Sequence, residues 1–264
     1  MIDLFQQMAE KAGIGSDSNY GMSGDMKKTQ YVLELIGSPA DPDTLKCILT
    51  AAEQGMELNC YSTVADSVPG FESQFQKLSP LSIMPCMKEA DFQVCGSDAI
   101  TAFIDARGLG YSLTPRNALL ASIQNYWVDI ACLHVAPEVA VIVNEVINKK
   151  YINQDHVPDK ELVDECAKHL NLYFDALNDQ LKNNKYIVCN KYTWADLHWT
   201  AYVHLCVLSG YEELVSSRSH VSKWFSRIQS RKSQCGQNIV AYEYLPGEEE
   251  LMSGSLKSIE ISDY

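Results

Sequence analysis

The residues best suited to metal or redox chemistry in this chain are its cysteines and histidines, and their spacing favours neither role. The nine cysteines are an odd number, and no two of them have the CxxC spacing of a redox or zinc motif. Disulfide frameworks are typical of short secreted chains, whereas a free cysteine usually behaves as a small buried hydrophobe. We therefore predict no metal site and mostly buried, reduced thiols. The cysteines are Cys47, Cys60, Cys86, Cys95, Cys132, Cys166, Cys189, Cys206 and Cys235.

The histidines also lack the spacing of metal ligands. Five of the six histidines fall within segments of predicted helix, where a packed or surface histidine is the ordinary outcome. These five are His134, His169, His198, His204 and His220.

Thr193 and Asp196 carry the clearest local structural signal. A threonine followed three residues later by an acidic residue predicts a capping box, in which the acidic side chain reaches back to the backbone N–H of the cap. The residues from Leu197 to Val207 are apolar around nearly the whole circumference of a helix. The pattern predicts a helix over 193–209 that is buried inside a domain.

Composition and charge argue against several classes of protein. Of the 264 residues, 46% are hydrophobic and 21% are charged, which favours a folded protein of one or two domains. The net charge of −13 disfavours nucleic acid and anionic membranes as partners, since both require clustered cations. No apolar run is expected to reach the length of a membrane span, and residues 1–28 lack the features of a secretory or transit signal. We expect a cytoplasmic protein without a membrane span.

The first half of the chain is predicted to alternate strands and helices. Residues 1–29 form an N-terminal extension, and residues 30–108 form a mixed domain. Its predicted elements are a strand at Tyr31–Ile36, a helix at Asp41–Gly55, a strand at Leu58–Val64, a hairpin over 86–94 and a helix at Ser97–Arg107. A helix between two parallel strands is the unit that opens a thioredoxin-like fold.

The second half is predicted to be helical. Gly108–Thr114 is the candidate linker, and Pro115 suits the first turn of a helix. Residues 115–235 form an all-helical domain by hydrophobic period, with helices at roughly 115–150, 159–184, 193–209 and 219–231. Residues 236–264 are an acidic tail that either lies over the surface or is disordered.

Two landmarks in the sequence resemble the glutathione transferases. The string from Tyr186 to Leu197 is similar to the loop and capping box that open the central buried helix of that family's C-terminal domain. A second set of residues matches, in order and spacing, the family's Asn-Pro-x-Gly-x-Val-Pro loop and Glu-Ser-x-Ala-Ile helix start. This set is Pro80, Met84, Pro85, Ser97, Ala99 and Ile100.

The resemblance covers residues 31 to about 235. It implies an α/β plus all-α protein, with a thioredoxin-like N-terminal domain followed by a helical C-terminal domain of the glutathione transferase type.

The resemblance also implies a glutathione site on the thioredoxin-like domain. Met84 would pair its backbone with the cysteinyl part of glutathione, and a cis Pro85 would hold that edge open. Ser97 and Asp98, at a helix N-terminus, would bind the γ-glutamyl carboxylate.

Ser38 is the candidate catalytic residue. In this family a Tyr or Ser hydroxyl near the end of the first strand stabilises the glutathione thiolate, or a Cys stands there in thiol-transferring classes. Ser38 matches the Ser position best, and Tyr31 is the weaker candidate. A serine before a proline is also an ordinary turn residue. Cys47 falls within the following helix, so thiol-transferase chemistry is disfavoured.

Departures from the family pattern leave two functions open. Gly96 stands where the family has an acidic residue, Ser82 where it has Gly, and Ser79 where it has Asn. One function is conjugation of glutathione, as co-substrate, to a small apolar electrophile in a cleft lined by the helix over 115–150. The alternative is a catalytically silent interaction or scaffold subunit of a larger protein complex. The family also implies a homodimer through the helix at Ser97–Arg107 and the helix that follows the linker.

Overall fold

The computed structural model describes residues 32–63, 79, 81–236 and 238–261. Up to residue 107 the described chain forms four strands and two helices. Their bounds are β1 Leu33–Gly37, α1 Pro42–Gln54, β2 Leu58–Ser62, β3 Cys86–Glu89, β4 Phe92–Cys95 and α2 Ser97–Arg107. Each element ends within two residues of its predicted bound, because the turn and cap residues between them are strong local signals.

The four strands form one sheet in the order β2-β1-β3-β4. β1 runs parallel to β2, and α1 supplies the crossover that a parallel pair requires. β3 is antiparallel to both β1 and β4. Leu33 and Leu35 are fully buried while Glu34 and Ile36 are partly exposed, so one face of the sheet lies in the core. This is the thioredoxin-like arrangement expected from the sequence.

Local signals determine where α1 begins and ends. The Asp41 carboxylate caps the helix by accepting from the N–H groups of Asp43 at 3.3 Å and Thr44 at 2.9 Å. Pro42 occupies the first helical turn, where a missing N–H costs nothing. Gly55 ends the helix in the left-handed conformation, with φ of 61°. The helix therefore starts close to the end of β1.

Residues 118–229 are helical apart from short loops. The helices are α3 Ala118–Ile152, α4 Lys160–Gln180, α5 Trp194–Leu208, α6 Glu213–Ser216 and α7 Ser219–Gln229. Twelve of the fifteen residues of α5 are buried, which makes it the central helix that the apolar pattern predicted.

The start of α3 differs from the prediction. The expectation that Pro115 occupies the first turn is wrong, because the helix begins at Ala118. Asn117 is the cap, and its side chain accepts from the Leu120 N–H at 3.1 Å. A side-chain acceptor satisfies a free N–H of the first turn, which proline cannot do.

Helix α3 is long and apolar enough, by length and composition, to cross a membrane, although the sequence was expected to hold no such run. The helix includes two π-helical stretches, Ala131–Val135 and Asn144–Asn148. Trp127, Val135 and Val139 are buried, and α3 packs against α4 and α5. One face of α3 thus lies in the core of the fold, as in core helices of similar composition.

The segment after α7 packs back onto the sheet. It contains a 3₁₀ turn at Ala241–Tyr244 and helix α8 at Glu248–Ser253. Ile259 pairs with Leu58 of β2 through two backbone hydrogen bonds of 2.8 and 3.1 Å. The Nε2–H group of His204 in α5 donates to the Pro246 carbonyl oxygen at 2.8 Å, because a carbonyl can only accept. The tail was expected either to lie over the surface or to be disordered, and residues 238–261 lie over the surface.

A buried carboxylate joins three parts of the helical half. Asp196 Oδ1 accepts from the Ile187 N–H and from the Trp224 indole N–H, both at 2.9 Å. Its Oδ2 accepts from the Thr193 N–H at 3.0 Å and from the Thr193 hydroxyl at 3.2 Å, so the predicted capping box is present. Burial raises the pKa of Asp196 to about 6, although each of these hydrogen bonds lowers it. The loop before α5, the start of α5 and helix α7 therefore depend on one side chain.

We predict that Asp196→Ala lowers the free energy of unfolding by at least about 3 kcal/mol, because it leaves several buried donors without an acceptor. Denaturant unfolding of the full chain measures this. Glu250→Ala is the matched control. The Glu250 carboxylate accepts from the Gly247 N–H at the start of α8 at 3.0 Å, and its side chain is partly exposed. The control should cost about 1 kcal/mol. Equal losses in the two variants would contradict a central role for Asp196.

Candidate functional site

Ser38 follows β1 directly and lies in the turn that leads into α1. Its hydroxyl oxygen accepts from the Ala40 N–H at 3.3 Å, and its carbonyl accepts from the Asp41 N–H at 3.1 Å. Among the described residues, no acceptor receives the proton of the Ser38 hydroxyl. This half-buried hydroxyl can therefore donate to a ligand. Tyr31, the weaker candidate, lies outside the described residues.

The position of Ser38 depends on Gly37 and on the first turn of α1. The Ser38 N–H donates to Thr44 Oγ1 at 3.3 Å, and the Thr44 hydroxyl donates to Asp41 at 2.7 Å. A Cβ at position 37 would overlap the Thr44 side chain, so glycine is required for α1 to start this close to the strand. Burial raises the pKa of Asp41, while its hydrogen bonds with Thr44 lower it. The sequence analysis placed the start of the helix at Asp41 but gave Asp41 and Thr44 no role in positioning Ser38, although an Asp-Pro pair before an apolar helix is a cap signal.

Met84 and Pro85 lie beside this turn. The Met84-Pro85 peptide bond is cis. Ile36 of β1 is paired with Cys86 of β3, so Ser38 and Met84 both lie just beyond the same end of this strand pair. Within the described part of the chain, no backbone hydrogen bond uses the Met84 N–H or carbonyl. Both groups can pair with an extended ligand.

Ser97 and Asp98 form the first turn of α2. The Gly96 N–H donates to the Pro85 carbonyl at 2.8 Å, so the start of the helix is tied to the cis-proline segment. Gly96 is the N-cap and gives the first turn no side-chain hydrogen bond. Backbone N–H groups at such an end favour an anion. Ser97 is buried, with 8% of its surface exposed, whereas Asp98 is exposed.

The backbone at Gly96 explains why a glycine suits this position. Its φ of 95° and ψ of 131° lie in a region that residues with a side chain rarely adopt. An acidic residue placed on this backbone would be strained. The glycine that replaces the family's acidic residue therefore suits the backbone conformation at position 96.

A cavity of about 230 Å³ opens beside Ser38. One wall is the turn at residues 38–40, and the opposite wall is the C-terminal end of α3, with Ile147, Tyr151 and Ile152. Leu251 of α8 supplies a further part of the lining. These walls are mainly apolar, so the cavity suits a small apolar molecule. The contribution of the tail was not predicted, because no local signal in 236–264 indicates what it contacts.

The predicted site residues occupy one end of the sheet but not one cavity. Ser38 follows the end of β1, Met84 and Pro85 precede β3, and Ser97 and Asp98 follow β4. Because β3 is antiparallel to both neighbours, these three positions fall at the same end. Of the five residues, Ser38 lines the cavity.

Other titratable side chains cluster between α1 and the helical half. Lys46 Nζ donates to Tyr202 Oη at 2.9 Å, and Cys132 Sγ lies 3.5 Å from His198 Nδ1. Burial lowers the pKa of His198 to about 3 and raises the pKa of Cys132, so this pair is not an activated nucleophile. The described residues contain no group of three or more His, Cys, Asp or Glu side chains able to hold a metal ion.

The amino-acid sequence is similar to proteins of one known family. Residues 139–232 match the family described as glutathione S-transferase, C-terminal domain. The chain is 26% identical to glutathione S-transferase F13 of Arabidopsis thaliana over 163 residues. This alignment covers 60% of this chain and 72% of the Arabidopsis protein.

Solved structures show the same fold. Glutathione transferase F7 from Populus trichocarpa is 23% identical with a TM-score of 0.66, covering 84% of this chain and 99% of that one. Glutathione S-transferase-I bound with the ligand lactoylglutathione is 18% identical with a TM-score of 0.65, covering 76% and 95%. The family match over residues 139–232 and the 26% identical relative support a divergent member of the glutathione S-transferase superfamily, and the solved structures show the fold.

Proposed function

We propose that this protein conjugates the thiol of glutathione to a small apolar electrophile, and that Ser38 stabilises the glutathione thiolate. The observation that carries the proposal is the place of the Ser38 hydroxyl. It lines an apolar cavity at the same end of the sheet that carries Met84 and Ser97. A thiolate donor and an electrophile cavity therefore adjoin.

Glutathione would bind along the sheet end as an extended peptide. Its cysteinyl part would pair with the Met84 N–H and carbonyl, as an added strand does at a sheet edge. Its γ-glutamyl carboxylate would meet the Ser97 hydroxyl and the N–H groups of the first turn of α2. The relative bound with lactoylglutathione supports a glutathione compound as the ligand of this fold.

The chemistry is a nucleophilic attack by sulfur. The glutathione thiolate attacks the electrophilic carbon, a C–S bond forms, and the leaving group departs with its electron pair. The Ser38 hydroxyl donates to the sulfur and so favours its ionised form. The Ala40 N–H bonds the Ser38 oxygen and leaves the hydroxyl proton for the ligand. We place this activity in the cytoplasm, where thiols are kept reduced.

We predict that Ser38→Ala mainly changes kcat, whereas Ser97→Ala mainly changes the Kd of glutathione. Ser38→Ala should lower kcat at neutral pH by at least about tenfold and leave the Kd of glutathione within about twofold, because its hydroxyl acts on the ionised sulfur. Ser97→Ala should instead raise that Kd by about tenfold, through loss of a hydrogen bond to a carboxylate. Calorimetry with glutathione and a conjugation assay with chlorodinitrobenzene measure the two quantities.

The matched control is Ser122→Ala on α3. The exposed Ser122 hydroxyl donates to the Ala118 carbonyl at 2.9 Å, so its removal should change neither quantity. If the wild-type protein does not bind glutathione, the conjugation proposal fails. The chain would then be better explained as a catalytically silent scaffold subunit. The glycine at position 96, where the family has an acidic residue, agrees with that alternative.

Helix α3 also carries an exposed apolar stripe. Leu119, Tyr126 and Leu133 recur every seven residues and are 70%, 61% and 67% exposed. That spacing places them on one face of the helix, and contiguous exposed apolar surface is typical of partner-binding sites. We propose that this stripe, together with α2, forms the interface of a homodimer.

We predict that the wild-type chain is a dimer in light scattering at micromolar concentration, and that Leu119→Asp shifts it toward the monomer. An aspartate in the first turn of α3 favours the helix dipole, so the fold should survive while the interface gains a buried charge. Leu172→Asp on α4 is the matched control, because Leu172 is 68% exposed and lies outside the stripe. A monomeric wild-type protein would exclude this interface.

A further inference from the structure

Strands β3 and β4 present two cysteines to each other. Cys86 begins β3 and Cys95 ends β4, and the antiparallel register pairs them directly. The Gly96 N–H donates to the Pro85 carbonyl at 2.8 Å, which makes those two residues a hydrogen-bonded position of the ladder. Because positions alternate along an antiparallel pair, Cys86 and Cys95 occupy a non-hydrogen-bonded position.

This position suits a cross-strand disulfide. Residues at non-hydrogen-bonded positions have Cα atoms about 4.5 Å apart, which lies within the range that a disulfide spans. The Sγ atoms of Cys86 and Cys95 lie 2.7 Å apart, so the two side chains already face each other. A bond between them needs no change of register.

The two thiols differ in exposure. Cys86 is fully buried, and burial, with the Cys95 thiol beside it, raises its pKa to about 12. Cys95 is partly exposed, and Lys88 and Gln93, the next pair along the same face of the hairpin, are both exposed. An oxidant in solution therefore meets Cys95 first, and Cys86 stands directly behind it.

We propose that Cys86 and Cys95 form a redox site that exchanges with glutathione disulfide. The Cys95 thiolate attacks one sulfur of glutathione disulfide, an S–S bond to Cys95 forms, and the first glutathione leaves as a thiolate. The Cys86 thiol, held against Cys95 Sγ, loses its proton as its sulfur attacks Cys95 Sγ and displaces the second glutathione, which closes the Cys86–Cys95 bond. The two protons given up by the cysteines pass to the two glutathione thiolates. The protein loses two electrons, and glutathione disulfide gains them.

The closed form joins the two segments that hold the proposed glutathione site. Cys86 follows Pro85, and Cys95 precedes Gly96 and the start of α2. The fraction of the protein that carries the Cys86–Cys95 bond therefore follows the ratio of glutathione to glutathione disulfide, and this bond lies next to the Met84 backbone. The exchange rests on the strand register and not on the conjugation activity, so each proposal can fail without the other.

Digestion of the full chain with trypsin separates the two cysteines, because Lys88 lies between them. The protein is incubated with excess glutathione disulfide, remaining thiols are alkylated, and the peptides are weighed without reduction. The expected product is peptide 78–88 joined to peptide 89–107. An excess of reduced glutathione should reverse the link.

Three variants test the order of the steps. Cys95→Ser should abolish the linked peptides, and Cys86→Ser should leave peptide 89–107 carrying one glutathione. Cys60→Ser, the matched control at another partly exposed cysteine of the sheet, should link as the wild type does. The proposal is overturned if both wild-type peptides are recovered alkylated, or if Cys95 keeps its glutathione and no link forms.

Discussion

The burial of α1 from its first turn onward, between the sheet and the helical half, is the constraint on which the rest of the structure depends. Every residue from Thr44 to Gln54 is buried, so the charged ones among them require partners. Glu53 accepts two hydrogen bonds from Arg231, at 2.8 and 3.1 Å, and Lys46 donates to Tyr202 at 2.9 Å. Both pairs join α1 to the second half of the chain. They fix the position of α1 against the helical half, and the turn after β1 leads directly into this helix.

The candidate site follows from this arrangement and from the register of the sheet. Three segments that are distant in sequence end at one side of the sheet, because β3 is antiparallel to both β1 and β4. That side offers a hydroxyl at Ser38, a backbone edge at Met84, and a helix N-terminus at Ser97. The same register sets Cys86 against Cys95. The sheet end therefore presents groups suited to a thiol compound in two chemically different ways: stabilisation of a thiolate and exchange with a disulfide.

Much of the fold was predictable because its signals are local. Caps and turns act between residues three or four apart, so Asp41, Gly55 and the pair Thr193 and Asp196 were sufficient to place helix bounds. The resemblance named five site residues. The structure sets them at one end of the sheet, and their roles in binding and catalysis stay predictions. The start of α3 was misplaced at Pro115 because two local signals competed, and a side-chain cap won over a proline.

The sequence by itself determined the elements, their order and the family, because periodicity, capping and motif spacing are written along the chain. Only the tertiary structure decided which residues meet. Arg231 reaches Glu53 across 178 residues, and Leu251 reaches the cavity from a tail that carries no signal of its contacts. Eight residues separate Cys86 from Cys95, so the sequence likewise shows no CxxC motif there. Their pairing appears once the hairpin sets its register, since partners across strands are chosen by packing and hydrogen bonding and not by spacing.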